Sequence, residues 1–147
     1  GLGDVYKRQG GIADHRGLVA ALALGASAVQ IGTAYLFCPE AKVSAAHRRA
    51  LDSAAASDTA LTNVFTGRPA RGINNRIMRE LGPMSDLAPR FPLAGGALMP
   101  LRAITDPKGN SDFSNLWSGQ ALRLGKAMPA EQLTREIAAK ALALIAH

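Results

Sequence analysis

Gly10-Gly11 and Gly32-Thr33 are the residues whose type and spacing point to chemistry. Each pair sits where a β-rich stretch gives way to a helical one, and roughly one β-α-β unit separates them. A phosphate dianion needs several backbone N–H donors converging on it and no Cβ in the way. Glycines at strand ends give that access, and the N-terminus of a following helix adds partial positive charge. The Thr33 hydroxyl can donate one further bond. Each pair alone also has an ordinary structural reading. Gly10-Gly11 can be a tight strand-to-helix turn, and Gly32 a bulge or a close packing point. Their order and separation together favour a phosphate-bearing ligand. The pattern is not a dinucleotide fingerprint, because GxGxxG is absent and no acidic residue lies at the ribose-binding offset.

The elements that must position these glycines follow from local pattern. Asp14 is a good N-cap for a helix starting near His15 or Arg16. Leu18, Val19, Leu22 and Ala26 mark its apolar face, and Gly25 fits the left-handed C′ position. Residues 28–36 are short, β-rich and largely apolar, which predicts a strand. Strand mouth, helix and strand again is the parallel β-α-β grammar. In (β/α)₈ barrels the loops after the last two strands form this kind of phosphate site.

Beyond Pro39 the pattern predicts an Ala-rich helix over residues 40–56, with Val43, His47 and Leu51 four apart. Residues 59–66 read as a strand ending in a turn at Gly67-Arg68-Pro69, and residues 74–81 as a short helix halted by Gly82-Pro83. Residues 84–92 are loop-like, residues 93–104 a helix broken at Pro100, and residues 106–110 a turn. The last helix starts near Pro129, with Glu131 in its first turn and Leu133, Ile137, Ala141, Leu144 and Ile145 on its buried face.

The 147 residues are enough for one domain with a real core but too few for a whole barrel, which needs about 250. Net charge is +6, yet the basic residues are scattered and no aromatic platform is interleaved with them. Nucleic acid is therefore not an expected partner; the densest basic group is Arg68, Arg71, Arg76 and Arg79. The single Cys38 excludes an intramolecular disulfide and a multi-cysteine metal site, and no metal is expected. No apolar run reaches the length of about 18 residues needed to span a membrane, so no membrane is expected and a cytoplasmic location is the default. Residues 1–9, GLGDVYKRQ, match nothing that follows. Tyr6-Lys7-Arg8-Gln9 puts two charges where a buried parallel strand would be apolar. The expectation is a non-native leader, tested by whether genomic sequence encodes it in frame before Gly10.

Residues 10–36, GGIADHRGLVAALALGASAVQIGTAYL, closely resemble the FMN-phosphate region of the nitronate monooxygenase (2-nitropropane dioxygenase) family. The resemblance continues through Phe65-Thr66-Gly67-Arg68-Pro69-Ala70-Arg71-Gly72, similar to the family's SGRPARG segment. It also includes Leu116-Trp117-Ser118-Gly119-Gln120, similar to its W-x-G-Q. It implies an α/β fold, the C-terminal part of a (β/α)₈ (TIM) barrel (its last two strands and helices) with a mostly helical C-terminal region. The implied organisation is barrel over residues 10–57, a substrate-side insert over 58–128, and a helix over 129–147 packing back on the barrel.

The implied activity is FMN-dependent oxidation of alkyl nitronates by O₂ to carbonyl compounds and nitrite. The implied FMN contacts are Gly10, Gly11, Gln30, Ile31, Gly32 and Thr33, with Trp117 and Gln120 on the flavin or substrate side. Family members carry the catalytic His on earlier strands, upstream of anything matching Gly10. None of His15, His47 and His147 sits in that context, so none is assigned as the base. His15 departs from the small or variable residue usual after Asp14, and is either an incidental surface residue or a phosphate contact. Trp117 is either a core anchor or a site residue. Arg68 and Arg71 are either structural or an attraction for an anionic substrate. An FMN-dependent enoyl reductase remains an alternative enzyme, and a non-catalytic flavin- or phosphate-binding fragment, or a basic nucleic-acid-binding domain, remains outside that class. Two barrel strands leave open edges, so the isolated chain is expected to be poorly stable and without turnover.

Overall fold

The structure is a computed structural model that describes residues 7–146. Residues 1–6, most of the expected leader, and His147 lie outside the described residues. The chain divides into two compact units. One joins the residues up to Lys42 with those from Gly119 on; the other is Val43–Ser118.

The first unit opens with strand β1 (Lys7–Gln9), followed by helix α1 (His15–Ala23) and strand β2 (Ala28–Gln30). The two strands pair in parallel, Arg8 opposite Val29 and Gln9 opposite Gln30. Arg8 and Gln9 are exposed, so these two polar residues stand in solvent instead of in a barrel interior. Asp14 caps α1, its side chain accepting from the N–H groups of Arg16 and Gly17. The helix ends as its pattern predicts: Gly25 takes φ +86°, where a Cβ would be strained, and Ala26 N–H reaches back to Ala21 O.

The strand expected over residues 28–36 is shorter. It stops at Gln30, and Thr33–Leu36 form a short helix, α2. Packing decides this: Ala34 and Cys38 are buried in the core, with Ile31 and Tyr35 packed against it. That is the i, i+3, i+4, i+7 spacing of a helical face, which overrides the β propensity of Ile31, Thr33 and Tyr35. The C-terminal helix, here α7 (Ala130–Ile145), packs on α1 and closes the core with Leu133 and Ile137. Ala141 is buried as expected, whereas Leu144 and Ile145 are 48% and 56% exposed. The apolar face of α7 therefore ends one turn earlier than the sequence suggests.

In the second unit, helix α3 (Ala45–Ser53) is shorter than residues 40–56 because the Ser44 hydroxyl caps it at the N–H of His47. Strands β3 (Thr59–Thr62) and β4 (Ala70–Ile73) form an antiparallel hairpin, with Thr59 opposite Ile73. Helix α4 (Arg76–Leu81) is capped by Asn75. Helices α5 (Ala94–Ala97) and α6 (Met99–Thr105) break at Leu98, and Pro100 starts the second helix instead of ending the first. The core gathers Val64, Phe65, Ile77, Met78 and Leu98, with the Trp117 ring edge-on to Phe65 at 5.0 Å.

Candidate functional site

Because β1 and β2 run parallel and in register, both glycine loops leave the sheet at the same end. After β1 the chain turns through Gly10 and Gly11 at φ +88° and +72°, a conformation L side chains rarely adopt. After β2 come Gly32 and Thr33. Gly10, Gly11, Gln30, Gly32 and Thr33 line one cavity of about 390 Å³ together with Gln9, Ile12, Gly119 and Ala121. A Cβ placed on Gly10, Gly11 or Gly32 would meet nothing within 4 Å, so the cradle is open where a ligand's oxygens would approach.

Thr33 also builds the wall. Its Oγ1 accepts from the N–H of Gly119 at 2.8 Å, and a hydroxyl that accepts still has its proton to donate. Helix termini contribute less than their place in the sequence suggests. The first N–H groups of α1 are taken by Asp14 Oδ1, from Arg16 at 3.0 Å and from Gly17 at 3.2 Å. Burial raises the Asp14 pKa, but the hydrogen bonds from Arg16 and Gly17 outweigh it and hold the carboxyl below its ordinary value. The helix after Gly32 has four residues, too few for a substantial dipole. What the cradle offers an anion is main chain at glycines and one hydroxyl.

Two expected site residues lie differently. Ile31 packs against the core and is not among the residues lining the cavity. Gln120 is exposed and starts a 3₁₀ turn (Gln120–Leu124); its neighbours Gly119 and Ala121 line the cavity, and it does not. Trp117 belongs to the second unit, where it packs on Phe65. Gly119 stands inside the W-x-G-Q motif, but its place in the wall rests on a bond to Thr33 that no local pattern marks.

His47 is buried and its Nε2 donates to Trp117 O at 2.9 Å; burial lowers its pKa, partly opposed by that bond, and nearby Arg48 lowers it further. A neutral, carbonyl-bound imidazole is a packing element. Arg71 donates to Thr59 O at 3.0 Å and Thr59 Oγ1 at 3.2 Å, a clamp across the hairpin. The Arg68 guanidinium lies 4.4 Å from the centre of the Phe91 ring. His15 lines a different cavity, beside Asp14 and Arg123. No helix among the described residues is long and apolar enough to cross a membrane.

The profile of the nitronate monooxygenase family matches residues 9–140. A nitronate monooxygenase from Pseudomonas aeruginosa is 43% identical over 129 residues, covering 87% of this chain and 37% of that protein. A probable nitronate monooxygenase from Staphylococcus saprophyticus is 40% identical, covering 90% of this chain and 37% of that protein. The chain thus spans 37% of the length of these curated relatives. Among solved structures, a nitroalkane oxidase from Streptomyces ansochromogenes superposes with a TM-score of 0.83 at 38% identity, covering 92% of this chain and 39% of that one. FabK from Thermotoga maritima gives 0.74 at 28% identity, covering 95% and 44%. The fold is accordingly a partial (β/α)₈ barrel of flavoenzyme type, as the sequence leads one to expect.

Proposed function

The chain belongs to the nitronate monooxygenase family, a flavin-dependent oxidoreductase family, and from that premise we propose that the glycine-lined cavity holds the phosphate of FMN. Gly10, Gly11 and Gly32 approach the phosphate oxygens, Thr33 donates its hydroxyl proton, and Gln30 flanks them. The observation that carries this reading is the meeting of two Cβ-free loops at one end of a parallel strand pair, with Thr33 on the wall. Gln120 stands between two lining residues without lining the cavity itself, and Trp117 anchors the second core.

The whole protein's reaction is the oxidation of an alkyl nitronate by O₂ to a carbonyl compound and nitrite. Bound flavin supplies the redox capacity. The residues of this chain fix its phosphate end and exclude water from beneath it. The base lies in the part of the relatives' length that this chain does not span, and His47, tied to Trp117 O, does not take its place.

Binding of FMN and of riboflavin, followed by flavin fluorescence on this chain, tests the phosphate assignment. FMN is expected to bind at least about a hundredfold more tightly, the worth of about 2.7 kcal/mol of charge-assisted bonds. Equal affinities would sink the assignment. On a full-length version, nitrite release from an alkyl nitronate without nicotinamide is expected. Strict dependence on a reduced nicotinamide with an enoyl substrate would replace the monooxygenase reading by the enoyl reductase. The chain alone is expected to show no turnover.

A further inference from the structure

A second cavity in the first unit is built from the continuation of the same two segments. Residues 13–16 follow directly on the Gly10–Gly11 loop, and residues 123–126 follow directly on Gly119 and Ala121. Its volume is about 430 Å³, within the range of roughly 300–1,000 Å³ usual for small-molecule sites. Leu133 and Ile137, 3% and 7% exposed, give it an apolar floor.

Its charges are not balanced. Asp14 Oδ2 is paired with Arg16 Nη2 at 2.6 Å. Glu136 Oε1 is paired with Lys126 Nζ at 2.8 Å and Lys140 Nζ at 2.6 Å. Both carboxylates are thus answered by their own cations. Arg123, which also lines the cavity, makes no side-chain hydrogen bond or ion pair with any described residue, and neither does the His15 imidazole. A guanidinium presents a planar fork of donors matched to a carboxylate or a phosphate. An unanswered fork above an apolar floor selects against cations and favours an anion carrying an apolar body.

We infer that this cavity is a second binding site, for a small organic anion with a phosphate or carboxylate head and an apolar body, with Arg123 as its principal ligand. The site is separate from the flavin cavity and stands whether or not that cavity holds FMN.

Calorimetric titration of this chain with phenyl phosphate, with benzoate and with inorganic phosphate tests it. At least one of the two aryl anions binds more tightly than inorganic phosphate, because only they reach the floor, and the tighter of the two identifies the head group. Arg123→Ala weakens that binding at least about tenfold, the loss of one charge-assisted bond pair, and Arg123→Lys falls between. Arg123 is exposed, so thermal melts of both variants match that of the parent. Gly32→Ala, which alters the flavin cavity, leaves the Arg123-dependent part of aryl-anion binding unchanged. The inference is overturned if neither aryl anion binds at millimolar concentration, or if Arg123→Ala binds as the parent does. It is also overturned if Gly32→Ala abolishes the binding, which would place the anion in the flavin cavity. Failure of the flavin assignment shows separately, in the FMN and riboflavin affinities.

Discussion

In the Val43–Ser118 unit, polar side chains are turned inward onto the chain itself. Asn75 donates to Ser111 O at 3.2 Å and Ser114 O at 2.8 Å. Asn63 exchanges two bonds of 2.9 Å with the main chain of Ser85, Arg71 holds Thr59, and His47 holds Trp117 O. Only Asn115 Oδ1 is left as a buried side-chain polar atom without a partner among the described residues. In the other unit the glycines at positions 10, 11 and 32 face open space, and the Arg123 side chain has no partner among the described residues. Glycine itself marks the contrast. At Gly67, φ is +91° and a Cβ would run into the backbone of residues 89–91. At Gly72 it would meet the Phe65 ring and Leu116 O at 2.6 and 2.9 Å. Motifs that look alike in sequence therefore differ in packing: the GRPARG glycines are fitted against backbone and ring atoms, and the paired glycine loops border open space.

The same substitution made in both units puts that contrast at risk. Gly67→Ala combines a left-handed backbone with a backbone clash and is expected to cost more than about 3 kcal/mol, read as loss of the soluble fraction or of the cooperative urea transition. Gly32→Ala has φ −109° and nothing within 4 Å, so stability should move by less than about 1 kcal/mol while FMN affinity falls at least about tenfold. Equal stability losses in the two variants would erase the distinction. A smaller effect belongs to His47. Its pKa in the fold is lowered below 6.5, so the unfolded chain takes up the proton more readily. Its contribution to stability is full above pH 6.5 and is lost as pH falls through the lowered value. Urea midpoints between pH 7.5 and 5 should decline, and the decline should be flatter in His47→Gln than in His15→Gln. The smallest change is expected from Glu136→Gln. Lys126 and Lys140 hold that carboxyl at about 2, so its pairs persist above 4.5 and disappear as pH falls toward 2. The pairs are exposed, so the melting temperature should drop slightly, and its difference from the parent should shrink in high salt.

What the sequence made legible was what residues decide locally. The Asp14 cap, the Gly25 stop and the Leu133–Ile137–Ala141 face of α7 are each set within a turn or two. Strand β4 was not legible, because Ala70-Arg71-Gly72-Ile73 has little strand propensity and is held by β3, with Gly72 also bridging to Trp117. The end of β2 was misread because residue type spoke for a strand while the spacing of Ile31, Ala34, Tyr35 and Cys38 spoke for a helix. At the cavity, Gly10, Gly11 and Gly32 could be picked out because glycines at strand ends leave the main chain accessible. Gly119 could not, since only the folded chain brings it to Thr33.

The bond between Thr33 and Gly119 also sets a clock. Its partners are 86 residues apart, with the whole Val43–Ser118 unit between them. At synthesis rates of about 5–20 residues per second, Gly119 leaves the ribosome roughly 4–17 s after Thr33. The nascent chain carries a glycine cradle with one wall missing for that interval, and the cavity is first closed when the last fifth of the chain arrives.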